Sequence, residues 1–444
     1  MILLINPPIY DFAAFDLWSK PLALLYLSAI LKKQGVNTVL LDFMDRGFKN
    51  QNVSRETIAQ KNGRYGCGHY IKAKAQKPEC IKNIPRNYCR YGILKEDAIR
   101  FLKNQEKPEF IIITSIMTYW YQGVLEALEI ARELFPDIPI VIGGVYAALC
   151  FEHLSKHIKN VSCETIALKG SLFALNAVFK EKGIAAQIPA SFADYPAPDF
   201  SHYQNNQYAV LRMSLGCPFS CSYCAQNILN DGQFISKQPQ KVFKEIEGFV
   251  KSGIKNIVFY DDALLYQADK NIKPLLKMII EAGYKINFHT PNGLHIKYLD
   301  LELACLMKEA GFVLPRFSLE TSDMSLQKST GGKVNNPIFE KAISFLKQGG
   351  FDKGDFIIYL LMGMPHQSLK TVEESIKYTH SLGGRISLSE YSIIPQTKDF
   401  AKIDRKFLDE PLYHNKSIYP LFEVKDWKEI ERLKLLAKNL NASL

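Results

Sequence analysis

The sequence predicts an α/β protein with two parts, an N-terminal doubly wound parallel sheet followed by a partial (β/α)6 barrel. Two observations predict this: short apolar runs alternate with amphipathic stretches along nearly the whole chain, and loops of small or polar residues follow the runs. A third is the length: 444 residues, 47% hydrophobic and 23% charged, suit two or three globular domains.

In the first 180 residues the expected elements are a strand Ile2 to Asn6, a helix Pro21 to Gln34, strands Thr38 to Asp42 and Phe110 to Thr114, a helix from about Gln122 to Leu134, and a strand Ile138 to Ile142. The strand ends carry Asn6-Pro7-Pro8, Thr114-Ser115, Gly143-Gly144 and, later, Lys169-Gly170-Ser171. In an open parallel sheet such ends form the ligand crevice. Between the second and third strands lies an insertion, about 44–95, too long for a plain loop. The stretch 51–100 holds eleven Lys or Arg against four Asp or Glu, a large share of the formal charge of +10.

Residues 185–205, with Pro189, Pro196 and Pro198, read as an extended linker. A second series follows over 206–400. Its strands are Ala209 to Ser214, Asn256 to Tyr260, Ile286 to Thr290, Pro315 to Leu319, Phe356 to Met362 and Ile386 to Ser392. The intervening helices are Lys241 to Ser252, Lys273 to Ala282, Leu301 to Ala310, Phe339 to Gln348 and Thr371 to Leu382. Six such repeats place chemistry at the carboxyl ends of the strands. Residues 401–444 read as a helical closing segment around Trp427 to Leu440. The amino terminus shows no basic leader and no apolar run approaches 18 residues, so the expected setting is cytoplasmic, without a membrane span.

Nine cysteines, odd in number and unevenly spaced, argue against a secreted disulfide framework. Cys150, Cys163 and Cys305 read as isolated buried apolar residues. Cys217, Cys221 and Cys224 differ, standing within eight residues directly after a strand. Thiolates are the soft ligands iron-sulfur clusters prefer, and a cubane with three protein thiolates keeps one iron open. Zinc would want a fourth Cys or His nearby, and the next are His289 and Cys305.

The run Cys217-Pro218-Phe219-Ser220-Cys221-Ser222-Tyr223-Cys224 resembles the signature of the radical S-adenosylmethionine (SAM) superfamily, C-x-x-x-C-x-x-C with an aromatic residue before the third cysteine. The resemblance implies a [4Fe-4S] cluster on the three cysteines and SAM chelated to the open iron. One-electron reduction of SAM would then give a 5′-deoxyadenosyl radical. It places Tyr223 against adenine, Asp261 or Asp262 on the cofactor's amino group in place of Gly-Gly-Glu, and Ser318 and Glu320 on ribose and carboxylate. Leu361 and Gly363 would lie beside adenine, with Asn292 a further contact.

The first 180 residues resemble the cobalamin-binding domain that precedes the radical domain in one branch of that superfamily. The resemblance places Ser115, Met117, Gly143, Gly144, Tyr146 and Gly170 around cobalamin, small residues clearing the nucleotide tail. The Asp-x-His-x-x-Gly element that supplies a cobalt ligand elsewhere is missing, which argues against a His ligand there. The implied function is methyl transfer to an unreactive carbon of a small molecule. The implied partner is a reductant such as flavodoxin or ferredoxin.

Alternatives with the same parts are radical cyclisation, rearrangement or oxidation. A tRNA methylthiotransferase-like enzyme would use Cys67, Cys80 and Cys89 for an auxiliary cluster, and the basic, Tyr-rich insertion for nucleic acid. Their spacing departs from that family's pattern. The non-enzyme alternative is an iron-sulfur electron carrier or redox sensor.

Overall fold

The computed structural model describes residues 1–48, 63–159, 164–403, 408–424 and 426–444. Residues 49–62 of the insertion, Cys163, and residues 404–407 and 425 of the closing segment lie outside them. The chain divides into two compact units, Met1–Gln207 with Asp404–His414, and Tyr208–Ile403 with Asn415–Leu444.

The first unit contains β1 (Ile2–Asn6), β2 (Ile9–Asp11), β3 (Thr38–Asp42), β4 (Lys72–Lys74), β5 (Cys89–Tyr91), β6 (Phe110–Ile113), β7 (Ile140–Ile142) and β8 (Thr165–Ala167). Five of them form a parallel sheet in the order β3-β1-β6-β7-β8, with Leu4 opposite both Leu40 and Ile112. The runs Ile-Leu-Leu-Ile and Phe-Ile-Ile-Ile are buried throughout, as central parallel strands covered on both faces must be. The order reverses between β1 and β6, so the crevice belongs at the ends of those two strands.

The described part of the insertion contributes two strands to a small antiparallel sheet, β2-β5-β4, pairing Ile9 with Tyr91 and Tyr91 with Lys72. Its strands are three residues long, too short to show an alternating pattern, which is why the segment reads as aperiodic. One face packs Ile9, Met44, Tyr70, Cys89 and Tyr91 together. Arg90 holds Glu126 of helix Tyr121–Leu134 through three N–H···O contacts of 2.6 to 3.0 Å.

The segment read as a linker is a packed strap. Phe192, Tyr195, Phe200 and Tyr203 are buried, the first two edge-on to Tyr26, and the Tyr203 hydroxyl donates to Asp42 at 2.7 Å. The prolines explain its extended backbone, whereas its aromatic residues decide that it is not free.

The second unit contains β9 (Ala209–Leu211), β10 (Ser214–Leu215), β11 (Ile235–Ser236), β12 (Asn256–Phe259), β13 (Asn287–His289), β14 (Arg316–Glu320), β15 (Ile357–Met362) and β16 (Arg385–Glu390). Parallel triplets β9-β12-β13 and β14-β15-β16 are joined by parallel bridges Phe288–Phe312 and Leu294–Phe317, giving a six-stranded arc. Helices alternate with the strands, several of them started by side chains such as those of Asp300, Asn335 and Ser368, which accept N–H groups of the first turn. The edge of β16 is closed by Asn441 of helix Trp427–Asn441, whose amide bonds both the N–H and the carbonyl of Ile386.

The strand expected over Ala209 to Ser214 is broken. The Asp261 carboxylate takes the N–H groups of Met213 and Ser214, and β10 then turns away to pair antiparallel with β11. Two-residue strands leave no signature in a sequence.

Candidate functional site

The cysteine loop leaves β10 through Gly216, at φ 86°, where a Cβ would stand 1.8 Å from the Gln233 carbonyl oxygen. Only glycine passes there. Its N–H faces Asp262 at 3.3 Å, and Asp262 also pairs with Arg212 at 3.2 Å. Cys217 is buried, while Cys221 and Cys224 are half-buried. Ser222 N–H donates to Thr330, and Cys224 N–H to Cys221, fixing the turn.

Burial pushes the Cys217 thiol up to about 11, opposed by the N–H of Phe219 and reinforced by Cys224 and Cys221. Burial likewise raises Cys224, opposed by the N–H of Gln226. The Cys217 and Cys224 sulfurs therefore feel their neighbours in the loop and each receives a backbone donor. Among the described residues no three His, Cys, Asp or Glu converge on a single ion. A cluster spreads its thiolates over separate irons, so soft, N–H-supported thiolates in this arrangement fit that group.

One cation completes the surroundings. Lys333 lies 2.7 Å from Glu320 and faces the ring of Tyr223, whose hydroxyl donates to Glu320 at 3.2 Å. Burial alone would depress the ammonium, but Glu320 and the Cys221 and Cys224 sulfurs hold it above the usual lysine range. Glu320 has φ 70°, and the β14 to β15 register shifts between Ser318 and Glu320. A charged residue held in left-handed backbone at a strand end is strain of the kind that gathers at functional sites. Lys333 escaped the sequence reading because Gly331-Gly332-Lys333 matches no motif; its only signal is a lone cation after two glycines.

The other expected SAM residues divide. Asp261 is buried, raised to about 6 by burial, and already accepts the Met213 and Ser214 N–H groups and the Ser214 hydroxyl. Its carboxylate shapes the approach to the loop. Asn292 donates to the carbonyls of Tyr260 and Asp261, and Ser318 lies under Gly293, where a Cβ would stand 1.9 Å from its hydroxyl. Leu361 is half-buried, its carbonyl held by Gln367, which also accepts the N–H groups of Gly363 and Met364. The close approach that Gly363 permits is to Pro420, 2.7 Å from where its Cβ would be.

In the first unit Asn6, Pro8, Ser115, Ile116, Met117 and Trp120 line one crevice at the ends of β1 and β6. The Ser115 hydroxyl is spent internally, donating to Gly143 at 2.8 Å and accepting the Tyr146 N–H at 3.0 Å. A Cβ on Gly144, at φ 88°, would stand 2.2 Å from the Ser115 carbonyl oxygen, so that glycine is needed by the turn itself. Gly143 has open space, its nearest neighbour Leu168 being 3.8 Å from an added Cβ. Met117 is exposed. Tyr146 is fully buried instead, stacked on Tyr121 with its hydroxyl 2.7 Å from His153. Gly170, at φ 105°, is exposed and packs only toward Ala174.

The remaining cysteines are dispersed. Cys67 and Cys89 are buried, Cys89 in an apolar cluster, while Cys80 is exposed. Cys305 is exposed and Cys150 half-buried, against the expectation of buried apolar residues; Cys305 sits on the outer side of helix Leu301–Ala310.

Residues 211–379 match the Radical SAM superfamily. The chain is 24% identical over 323 residues to the anaerobic magnesium-protoporphyrin IX monomethyl ester cyclase of Rubrivivax gelatinosus, covering 64% of this chain and 56% of that protein. It is 22% identical to the cytidylyl-2-hydroxyethylphosphonate methyltransferase of Streptomyces wedmorensis, covering 86% and 77%. Its fold matches the radical SAM methyltransferase TsrM of Kitasatospora setae, solved with cobalamin and a [4Fe-4S] cluster, at TM-score 0.62 and 14% identity, covering 90% and 73%.

Proposed function

Because this chain carries a radical SAM domain, we propose that it is a cobalamin-dependent radical SAM enzyme that transfers a methyl group to an unreactive carbon of a small molecule. The observation that carries the reading is one tight loop holding three thiols, two of them with N–H donors, beside the buried Lys333–Glu320 pair. A four-iron cluster supplies single-electron cleavage of SAM, and cobalamin supplies a carrier for the methyl group.

Cys217, Cys221 and Cys224 would hold the cluster. Glu320 and Lys333 present one charge of each sign beside it, matching the amino and carboxylate groups of SAM. Tyr223 offers a ring to adenine, and Asp262, Asn292, Ser318, Leu361 and Gly363 are the further contacts. Asp261 acts through Met213 and Ser214. In the first unit Met117 and Gly143 offer surface to cobalamin, while Ser115 and Gly144 shape the turn beneath. We assign residues 1–184 to cobalamin and 206–400 to the radical chemistry. A flavodoxin or ferredoxin would supply the electron, and a cytoplasmic setting suits an oxygen-sensitive cluster. Among the described residues no helix is long and apolar enough to cross a membrane.

The test is anaerobic reconstitution of the full chain with iron, sulfide and hydroxocobalamin. Expected are a reduced-cluster spectrum absent from the C217A/C221A/C224A variant, methionine and 5′-deoxyadenosine from SAM under strong reduction, and cobalamin retained through desalting. An unchanged spectrum in the triple variant would sink the cluster assignment. Loss of cobalamin on desalting would sink the methyl-transfer route alone.

A further inference from the structure

Cys217 has a neighbour that neither the signature nor the other cofactor contacts include. Leu294 is tied into β14, its N–H donating to Arg316 and its carbonyl accepting from Ser318, so the next residue, His295, is held at a fixed place. His295 is 8% exposed, and its ring lies against Phe219 of the cysteine loop, centroids 4.8 Å apart. Its Nε2 is 3.5 Å from the Cys217 sulfur, and its Nδ1 is buried without a hydrogen-bond partner among the described residues.

An iron-bound thiolate can only accept hydrogen bonds, so a ring nitrogen 3.5 Å from the Cys217 sulfur meets it favourably as an N–H donor.

Resting on the cluster reading above, we propose that His295 is a positioning residue that donates a hydrogen bond from Nε2 to the Cys217 sulfur and so raises the cluster's reduction potential. Hydrogen bonds to cluster sulfurs withdraw charge and favour the more negative, reduced state. The Asp262 carbonyl also faces the ring, and it is the competitor for the same proton.

The experiment is a potentiometric titration of the reduced-cluster spectrum in full-length wild type, H295F and H295Q, each reconstituted anaerobically with iron counted. H295F keeps a ring against Phe219 but has no donor. Its ratio of reduced to oxidised cluster at a fixed potential should fall about tenfold, a downward shift of about 59 mV for a one-electron couple, with iron content unchanged. H295Q, which retains a donor, should recover part of the shift.

An iron-loaded H295F with the wild-type midpoint overturns the proposal, as it would if the proton went to Asp262. Wild type labelled with 15N-histidine gives a second readout that does not depend on a variant folding. A 15N coupling to the reduced cluster that disappears in H295Q or H295F supports the bond, and its absence from wild type overturns it. Wild type that binds no cluster takes down the cluster reading and this proposal together, which separates the two failures.

Discussion

The strand-end crevices of the two units are built on similar parallel sheets and differ in what lines them. In the first unit the lining is shape: prolines, an exposed Met117, and a Ser115–Gly144 turn whose hydroxyl and carbonyl are consumed within the turn. In the second the groups around the cysteine loop are charged: three thiols, Lys333 against Glu320, and Asp262 against Arg212. A large prebuilt cofactor needs clearance more than charge, whereas a cluster that takes up electrons needs neighbours that stabilise its anionic ligands. On the function proposed above, the difference would suit separate tasks for crevices that topology alone would treat alike.

The comparison breaks most sharply at the paired glycines. Gly144→Val should disrupt the first unit, since both the backbone angle and a 2.2 Å clash forbid a side chain; a loss above about 3 kcal/mol is expected. Gly143→Val should leave the melting profile within about 0.5 kcal/mol of wild type while abolishing cobalamin retention. Calorimetry with cobalamin retention after desalting checks both. Equal destabilisation by the two variants would mean that the crevice is not shaped as described.

Lys333→Met tests the charged crevice. It removes the cation that would face the SAM carboxylate, so SAM binding should weaken about 100-fold, roughly 2.7 kcal/mol, while the iron content holds. Lys333→Arg should recover part of this affinity. Equilibrium dialysis of labelled SAM is the measurement, and unchanged affinity in the Met variant would remove Lys333 from the site.

The smallest effect is a difference in pH dependence. His414 in the first unit is buried between Thr118 and the Leu408 carbonyl, and burial lowers it to about 4. Its folded value lies below the unfolded one, so its contribution is present above about pH 6.5 and is lost as pH falls toward 4. Asp261 in the second unit is raised by burial to about 6, above the 3.8 usual for a free Asp. The folded state there binds the extra proton, so stability falls as pH rises from about 4 to 6. Each slope is at most about 1.4 kcal/mol per pH unit. H414Q and D261N should flatten opposite slopes in urea unfolding followed from pH 4 to 7. Slopes of the same sign would show that one of these burials is misassigned.

Much of the fold was legible where the signal was local and long. Ile2–Asn6, Thr38–Asp42 and Leu301–Ala310 have the expected bounds, since an unbroken apolar run or a capped amphipathic stretch carries its own periodicity. The β10–β11 hairpin and the β2-β5-β4 sheet were not legible, because strands of two or three residues depend on partners distant in sequence. The packed strap at 185–205 was misread because its prolines speak to backbone conformation and not to what its aromatic residues touch.

The same division runs through the site. The sequence by itself determined the three-cysteine loop, the strand ends that deliver Tyr223, Glu320 and Asp262, and the small residues after β6 and β7, because spacing along one segment sets which groups share one turn. Only the tertiary structure decided that Lys333 faces Glu320 and the sulfurs, that His295 reaches Cys217 across 78 positions, that Asp261 serves the backbone, and that Tyr146 is core. Those pairings join residues on separate segments of the chain. Their energies come from desolvation and from hydrogen bonds formed on burial, neither of which leaves a mark on the order of residues.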